Sequence, residues 1–352
     1  MAITTSRSLL SVVIPAYNEE EVLPVFHERL AAVLGSLDID GEIVYVNDGS
    51  SDKTLDVLQS IQAQDPRVAI VDLSRNFGKE IALTAGLDNA KGDAVVVIDA
   101  DLQDPPELIL ELVKYWREGY DVAYAKRTRR DGESAFKKAT AYSFYRIIQS
   151  VSRIKIPEDT GDFRLLSRRA VDSLKQLREQ HRFMKGLFAW IGYPQKAVPY
   201  CRDARHSGET KWNYWRLWNF ALEGITSFTT APLKVATYLG LLAAFGAFIF
   251  GVGLIIDTLI HGNPVAGYPS LMVTMLFLGG VQLITLGIIG EYLGRMFDES
   301  KGRPLYLLNQ YKPAELWKNS KPDAQSGSTP VVYGEKETVE RQPRSSTGPD
   351  KR

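Results

Sequence analysis

The sequence predicts an α/β domain on a mostly parallel sheet, followed by a two-helix transmembrane hairpin. Three observations carry that reading. Apolar strand-like runs alternate with amphipathic helical runs over the first hundred residues, the pattern of a parallel sheet covered on both faces. Two uncharged apolar runs, Val235 to Ile256 and Val265 to Gly290, each exceed the roughly 20 residues that cross a hydrocarbon core. The charges balance, 42 Lys and Arg against 42 Asp and Glu in 352 residues, which argues against a nucleic-acid footprint over the whole chain.

Taken in order, "LLSVVIPAY" reads as a strand. It runs into "NEEEVLPVFHERLAAVLGSL", a helix with an acidic start and apolar residues at Val22, Phe26, Leu30 and Val33. Next come the strand "GEIVYVND", the helix "SDKTLDVLQSIQAQ" opened by a Ser or Asp cap, and the strand "VAIVDLS". The helix "GKEIALTAGLDNA" and the strand "DAVVVIDA" complete the alternation. Ligands of such sheets sit beyond the carboxyl ends of the strands, so "PAYNE", "VNDGS", "SRNFGK" and "DADLQD" are expected on one edge.

"ILELVKYWREGYDVAYAKR" adds a helix and a strand, and the charged "RTRRDGESAFKKA" reads as a loop. Helices are expected at 136–152 and 167–180. The aromatic-rich stretch with Trp212, Trp215 and Trp218 suits an amphipathic juxtamembrane helix. The expected division is a globular domain at 1–210, juxtamembrane helices at 211–232, spans at 233–260 and 265–292, and a C-terminal segment at 293–352, largely disordered after 312. Lys211, Arg216 and Lys234 precede the first span and Arg295, Lys301 and Arg303 follow the second, while the loop between lacks both residue types. The positive-inside rule then puts both ends in the cytoplasm. Small residues at Gly240, Ala244, Gly246 and Gly251 favour close helix packing or a homo-oligomer. The lone Cys201 and four histidines offer no disulfide and no His/Cys metal cluster.

The chemistry concentrates in "VVVIDADLQDPPE". Asp104, with Pro105 and Pro106, is explained by the end of a strand, and Glu107 by the first turn of a helix. Asp99 and Asp101 are not, because two carboxylates one residue apart repel unless a cation compensates. A hard divalent ion bridging phosphate oxygens supplies that compensation.

The motifs "SVVIPAYNEE", "VNDGSSDKT", "SRNFGKEIALTAGLDNAKGD", "DADLQDPPE", "DTGDFRLLSRRAV" and "RHSGETKW" resemble, in order and spacing, those of family 2 glycosyltransferases of the polyprenyl-phosphate hexose type. With its paired C-terminal spans the chain looks like the undecaprenyl (bactoprenol)-phosphate glucosyltransferase branch, similar also to dolichyl-phosphate mannose synthases. The resemblance implies a GT-A (Rossmann-like) catalytic domain. It implies that Pro15, Tyr17, Glu19 and Asp48 hold the nucleoside, that Gly78 allows close backbone approach, and that Arg75 or Lys79 supports the nucleotide side, a solvated loop being an equal alternative for either. It also implies that Asp99, Asp101 and Gln103 join Mg2+ or Mn2+ to the diphosphate, with Asp101 and Asp162 as catalytic residues, Asp159 beside Asp162. Arg127, Arg205, Ser207 and Lys211 match the elements that grip the acceptor phosphate; Arg129 and Arg130 are equally well a solvated face.

The implied reaction is inverting transfer of a hexose, first of all glucose from UDP-glucose, to polyprenyl phosphate at the inner (plasma) membrane, with the catalytic domain cytoplasmic. The same reaction with GDP-mannose or a UDP-aminoarabinose derivative is the nearest alternative, and a membrane scaffold or flippase component is the non-enzymatic one. A polysaccharide synthase is disfavoured, since no Q-x-x-R-W occurs and "TGD" stands in place of "TED".

Overall fold

The computed structural model describes residues 8–128, 157, 160–200, 231–261 and 267–317. The first units follow the sequence pattern: β1 (Leu9–Ala16), α1 (Leu23–Gly35), β2 (Asp40–Asn47), α2 (Thr54–Gln64), β3 (Val68–Leu73), α3 (Lys79–Asn89) and β4 (Ala94–Val97). Then come α4 (Ile109–Arg117), β5 (Val122–Arg127), β6 (Thr160–Ser167), α5 (Arg168–Lys175), α6 (Met184–Trp190) and β7 (Gln195–Tyr200). The chain continues into the long helices α7 (Ala231–His261) and α8 (Tyr268–Ser300) and ends its described part with β8 (Leu308–Lys312).

The sheet order is β7-β5-β6-β4-β1-β2-β3-β8. β1 to β5 and β7 run in one direction, whereas β6 runs antiparallel to β4 and β5, and β8 antiparallel to β3. The sheet is therefore mixed at two places where strict alternation predicts only parallel pairing. Helices cover both faces. Phe26 and Leu30 of α1, Leu58 of α2 and Leu112 of α4 pack with Tyr45 on one face. Leu83 and Leu87 of α3, Val171 of α5 and Phe188 of α6 pack with Val13 and Val46 on the other.

Four details depart from the sequence reading. β4 stops at Val97, so Asp99 and Asp101 lie in a loop beyond the strand. The stretch around Asp162, to which the sequence reading assigns no element, is the buried strand β6, and the following helix starts at Arg168 with the Ser167 hydroxyl accepting from the Ala170 amide at 3.2 Å. Lys53 occupies the N-cap position of α2; Asp52, one residue earlier, accepts the Thr54 amide at 3.0 Å. Finally, the ordered chain does not stop at residue 312: Ala314 is fully buried, and the Glu315 amide donates to the Pro66 carbonyl at 3.0 Å.

α7 and α8 contain stretches, Leu233–Gly253 and Phe277–Ser300, long and apolar enough to cross a membrane. Leu241, Phe245, Phe248, Leu283 and Leu286 on them are exposed, which a lipid surround accommodates and water does not. A Cβ added at Gly240, Gly246 or Gly251 meets no atom within 4 Å, so these glycines do not make the close helix contact expected of them within the described chain. α8 also runs past the expected end of its span at 292 and meets the sheet domain. The Gln180 amide donates to Glu299 Oε1 at 2.7 Å, and His181 Nε2 lies 3.2 Å from Asp298 Oδ2.

The carboxyl ends of six strands, the start of β6 and the entry into β8 all lie along one edge. Leu73, the end of β3, pairs with Leu308, the start of β8. The expected helix at 136–152, Asp159, and the juxtamembrane segment with Trp212, Trp215 and Trp218 fall outside the described residues.

Candidate active site at the carboxyl edge of the sheet

Pro15 lies at the end of β1, and the loop after the strand carries Tyr17 and Glu19. Pro15 pairs in register with Val46, and Tyr17, just beyond the strand, is 42% exposed. Asn18 takes a positive φ of 54°, a conformation short amide side chains tolerate. Its side-chain oxygen accepts the Ser51 amide at 2.9 Å, and its own amide donates to the Ser50 hydroxyl at 3.1 Å. The Glu19 amide reaches the Thr54 hydroxyl at 2.9 Å, and the Lys53 amide reaches the Glu20 carboxylate at 2.8 Å. The two loops thus brace each other, and Tyr17 stands out on a fixed base.

Asp48 is placed differently from a side chain awaiting a nucleoside. It is buried, and its two oxygens accept the backbone amides of Phe77 at 2.7 Å and Gly78 at 3.0 Å. Burial raises its pKa, and those two amides partly offset the rise. Gly49 follows at φ 61°, and a Cβ there would sit 2.3 Å from the Arg75 carbonyl carbon. The "NDG" of this motif therefore clamps the β3–α3 loop, and what that loop presents is Lys79, the first residue of α3.

The Lys79 ammonium lies 2.7 Å from Asp99 Oδ2 and 2.7 Å from Asp162 Oδ2. One carboxylate comes from the loop after a parallel strand and the other from the start of the antiparallel β6, so the reversed strand is what brings them together. Asp162 is 7% exposed, and its other oxygen, Oδ1, is buried with no hydrogen-bond partner among the described residues. Burial pushes the Asp162 carboxyl up, but Lys79 and then Lys185 overrule it and hold it well below the usual range. Asp99 shares the same ammonium, yet desolvation and the Asp162 charge leave its pKa raised. The Lys79 pKa is driven well up, since the two carboxylates outweigh desolvation.

Below this triad lie residues that the sequence did not single out. Glu80, in the first turn of α3, accepts the Met184 amide at 3.0 Å. Burial and the Asp162 charge push its carboxyl up to about 7. Arg164, two residues along β6 from Asp162 and so on the same sheet face, donates to the carbonyls of Gly161 at 2.9 Å and Asp162 at 3.3 Å. Its guanidinium lies 3.8 Å from the Phe188 ring centroid, and burial lowers its pKa to about 10. Once β6 is known to be a strand, its period of two places Asp162 and Arg164 on one face, but the sequence alone does not reveal the strand.

Asp101 Oδ1 accepts the Gln103 amide at 3.1 Å, in a turn where Leu102 has a φ of 56°. Asp104 does more than end a strand. It is 1% exposed and accepts the Tyr200 hydroxyl at 2.5 Å; the same hydroxyl accepts Arg127 Nε at 3.4 Å. Gly161 leaves the room this needs, because a Cβ there would lie 3.2 Å from Arg127 Nη2. Glu107 forms a two-point ion pair with Arg29 at 2.8 and 3.0 Å, a structural role. Arg129, Arg130, Arg205, Ser207 and Lys211 lie outside the described residues.

Among the described residues no group of three or more His, Cys, Asp and Glu side chains forms a ready metal centre. The donors between residues 99 and 103 are two carboxylates and an amide, the hard oxygens that Mg2+ or Mn2+ takes. The ammonium on Asp99 is itself a cation in that position. The residues present therefore fit a divalent ion that brings further oxygen ligands with it.

Comparison with known proteins shows the family. Residues 11–175 match the Glycosyl transferase family 2 model, and residues 231–296 match the GtrB C-terminal hairpin. An uncharacterized glycosyltransferase of Synechocystis sp. is 57% identical over 308 residues, 88% of this chain and 95% of that one. The bactoprenol glucosyl transferase of Shigella phage SfV is 49% identical over 303 residues, covering 86% of this chain and 99% of that protein. A solved structure of mannosyl-3-phosphoglycerate synthase from Rubrobacter xylanophilus matches at 19% identity and a TM-score of 0.44, over 61% of this chain and 71% of its own. With relatives of this identity and coverage, the chain belongs to glycosyl transferase family 2, as a glycosyltransferase whose catalytic domain is followed by a GtrB-type membrane hairpin.

Proposed function

We propose that the protein transfers glucose from UDP-glucose to bactoprenol (undecaprenyl) phosphate, inverting the anomeric carbon, at the cytoplasmic face of the plasma membrane. The observation that carries the reading is that the acidic site shares a sheet edge with both chain connections to the hairpin. β7 ends at Tyr200 on that edge, and the chain returning from α8 enters at Leu308 beside Leu73. A donor site on this edge lies toward the membrane end of the domain, where a lipid phosphate is held. The name of the phage relative supplies the sugar and the lipid. The basic residues flanking the spans support a cytoplasmic domain.

In this reading Pro15, Tyr17 and Glu19 receive the nucleoside, and Asp48 acts mainly through the loop it clamps. Asp99, Asp101 and Gln103 would hold Mg2+ or Mn2+, which when bound stabilises charge on the departing diphosphate as a Lewis acid. Lys79 donates hydrogen bonds to the same leaving group. Arg127 holds the acceptor phosphate, joined by Arg205, Ser207 and Lys211. A phosphate oxygen forms the new bond to the anomeric carbon as the carbon–oxygen bond to the diphosphate breaks, and UDP keeps the electron pair. No base has to remove a proton, because a phosphate monoester with a second pKa of about 6 is already ionised near neutrality. The ionised Asp162 therefore acts through charge, orienting the acceptor and stabilising positive character at the anomeric carbon. A homo-oligomer packed through the outward-facing glycines of α7 belongs to the same picture.

The test is reconstitution in liposomes containing undecaprenyl phosphate, with UDP-glucose, UDP-galactose and GDP-mannose supplied separately and the lipid product identified by mass. Hexosyl lipid from UDP-glucose, absent with Asp101→Ala, is expected. A product from a different donor alone overturns the sugar, and no lipid product from any donor overturns the reaction.

A further inference from the structure

We infer that Lys79 is a built-in counter-cation that competes with the divalent metal for Asp99, so that metal binds tightly only together with the nucleotide diphosphate. The inference rests on the proposed metal role of Asp99. Its basis is the bridging geometry: one ammonium serves two carboxylates, at 2.7 Å each, one belonging to the metal loop and the other to the buried Asp162. A divalent ion taking Asp99 meets this positive charge at contact distance, which weakens metal binding when nothing else compensates.

The diphosphate changes the balance in two ways. It brings negative oxygens to the metal, and it offers the ammonium a new acceptor. Lys79 has three N–H donors, so it can leave Asp99 for a phosphate oxygen while keeping Asp162. The anchoring fits such a swap. The Lys79 backbone follows a loop pinned by Asp48 at Phe77 and Gly78 and closely packed at Gly49, yet its side chain is 45% exposed. The main chain stays while the ammonium swings. Asp162 then retains a cation throughout, and its charge is not left uncompensated when Asp99 turns to the metal.

Binding of MnCl2 to the full-length protein in detergent or nanodiscs, with and without UDP, tests this by the electron paramagnetic resonance signal of free Mn2+. In the wild type, UDP should tighten Mn2+ binding at least about tenfold, the scale on which one adjacent full charge shifts a carboxylate's affinity for a cation. Lys79→Met should bind Mn2+ without UDP about tenfold more tightly than the wild type, and its gain from UDP should shrink. Lys79→Gln, which keeps a polar group of similar length, should behave the same way and serves if the Met variant does not fold. Equal or weaker UDP-free Mn2+ affinity in the folded Lys79 variant overturns the inference, as does wild-type affinity that is indifferent to UDP. Asp99→Asn separates this from failure of the metal assignment: unchanged Mn2+ binding in that variant removes Asp99 as a ligand, whatever the Lys79 variants do.

Discussion

Asp162 has a cation on one oxygen and, among the described residues, no hydrogen bond on the other, and Lys79 holds its pKa well below the usual carboxylate range. Its ionisation is therefore not expected to set an acidic limb of activity near pH 6; in the proposed reaction the acceptor phosphate, with a second pKa of about 6, should set that limb. Asp162→Asn keeps the shape and removes the charge, and it should lower kcat by about 100-fold or more, the usual scale for loss of a preorganised electrostatic group. The pH–rate profile of the residual activity should keep the same acidic limb. If raising the pH alone restored the variant, a hidden general base would be indicated and the charge role would be wrong. Glu80 gives a second test with a definite sign. Its folded pKa is raised from 4.5 to about 7, so the stability it contributes is full below about 4.5 and is lost as the pH rises through about 7. Glu80→Gln should flatten that part of the curve, read from thermal midpoints at pH 5 and pH 8; an unchanged slope assigns the loss to other groups.

At the scale of elements, the parallel units were legible because each strand is a short, nearly continuous apolar run and each helix carries one apolar face. β6 was not, because "TGDFRLLS" interrupts that pattern with Gly161, Asp162 and Arg164. Partners beyond the apolar pattern make burial of those charges tolerable: the Lys79 ammonium on Asp162, and the Phe188 ring with the Gly161 and Asp162 carbonyls on Arg164. β8 was hidden for another reason. "LNQYK" is polar, and its partner β3 lies across the whole catalytic domain and the hairpin in sequence. The acidic and basic residues of the site could be listed from motifs, but their pairing could not, since it depends on the reversal of β6. The docking of β8 can be measured. Asp72 is buried, accepting Asn47 Nδ2 at 2.7 Å and Asn309 Nδ2 at 2.6 Å. Asn309→Ala removes one donor and should cost about 1–3 kcal/mol, the penalty for a buried polar atom losing its partner. Denaturation midpoints check this, and a variant as stable as the wild type would mean that β8 is not held through Asp72.

At the scale of the whole molecule, the membrane hairpin joins the catalytic edge by contacts that can be lengthened without touching the site. Gln180 donates its amide to Glu299 at 2.7 Å and its side-chain nitrogen to the Arg303 carbonyl at 2.5 Å, so the end of α8 and the chain beyond it grip the segment leading into α6. α6 in turn supports Glu80 through Met184, and Arg164 through Phe188. In the proposed membrane arrangement this joint sets the depth of the site relative to the bilayer. Inserting Gly-Ser-Gly-Ser between Gly302 and Arg303 breaks that joint while leaving the residues of the donor site in place. Donor binding, followed with UDP, should stay within about twofold. Transfer to undecaprenyl phosphate in liposomes should fall by more than about tenfold, because small misplacements of a reacting group carry penalties of that order and above. Unchanged lipid transfer would show that the domain finds its acceptor without a fixed height above the membrane. A parallel loss of UDP binding would show that the joint supports the nucleotide loop as well, through the neighbouring Arg75 and Phe77 that line the same 270 Å³ cavity as Gln180 and Arg303.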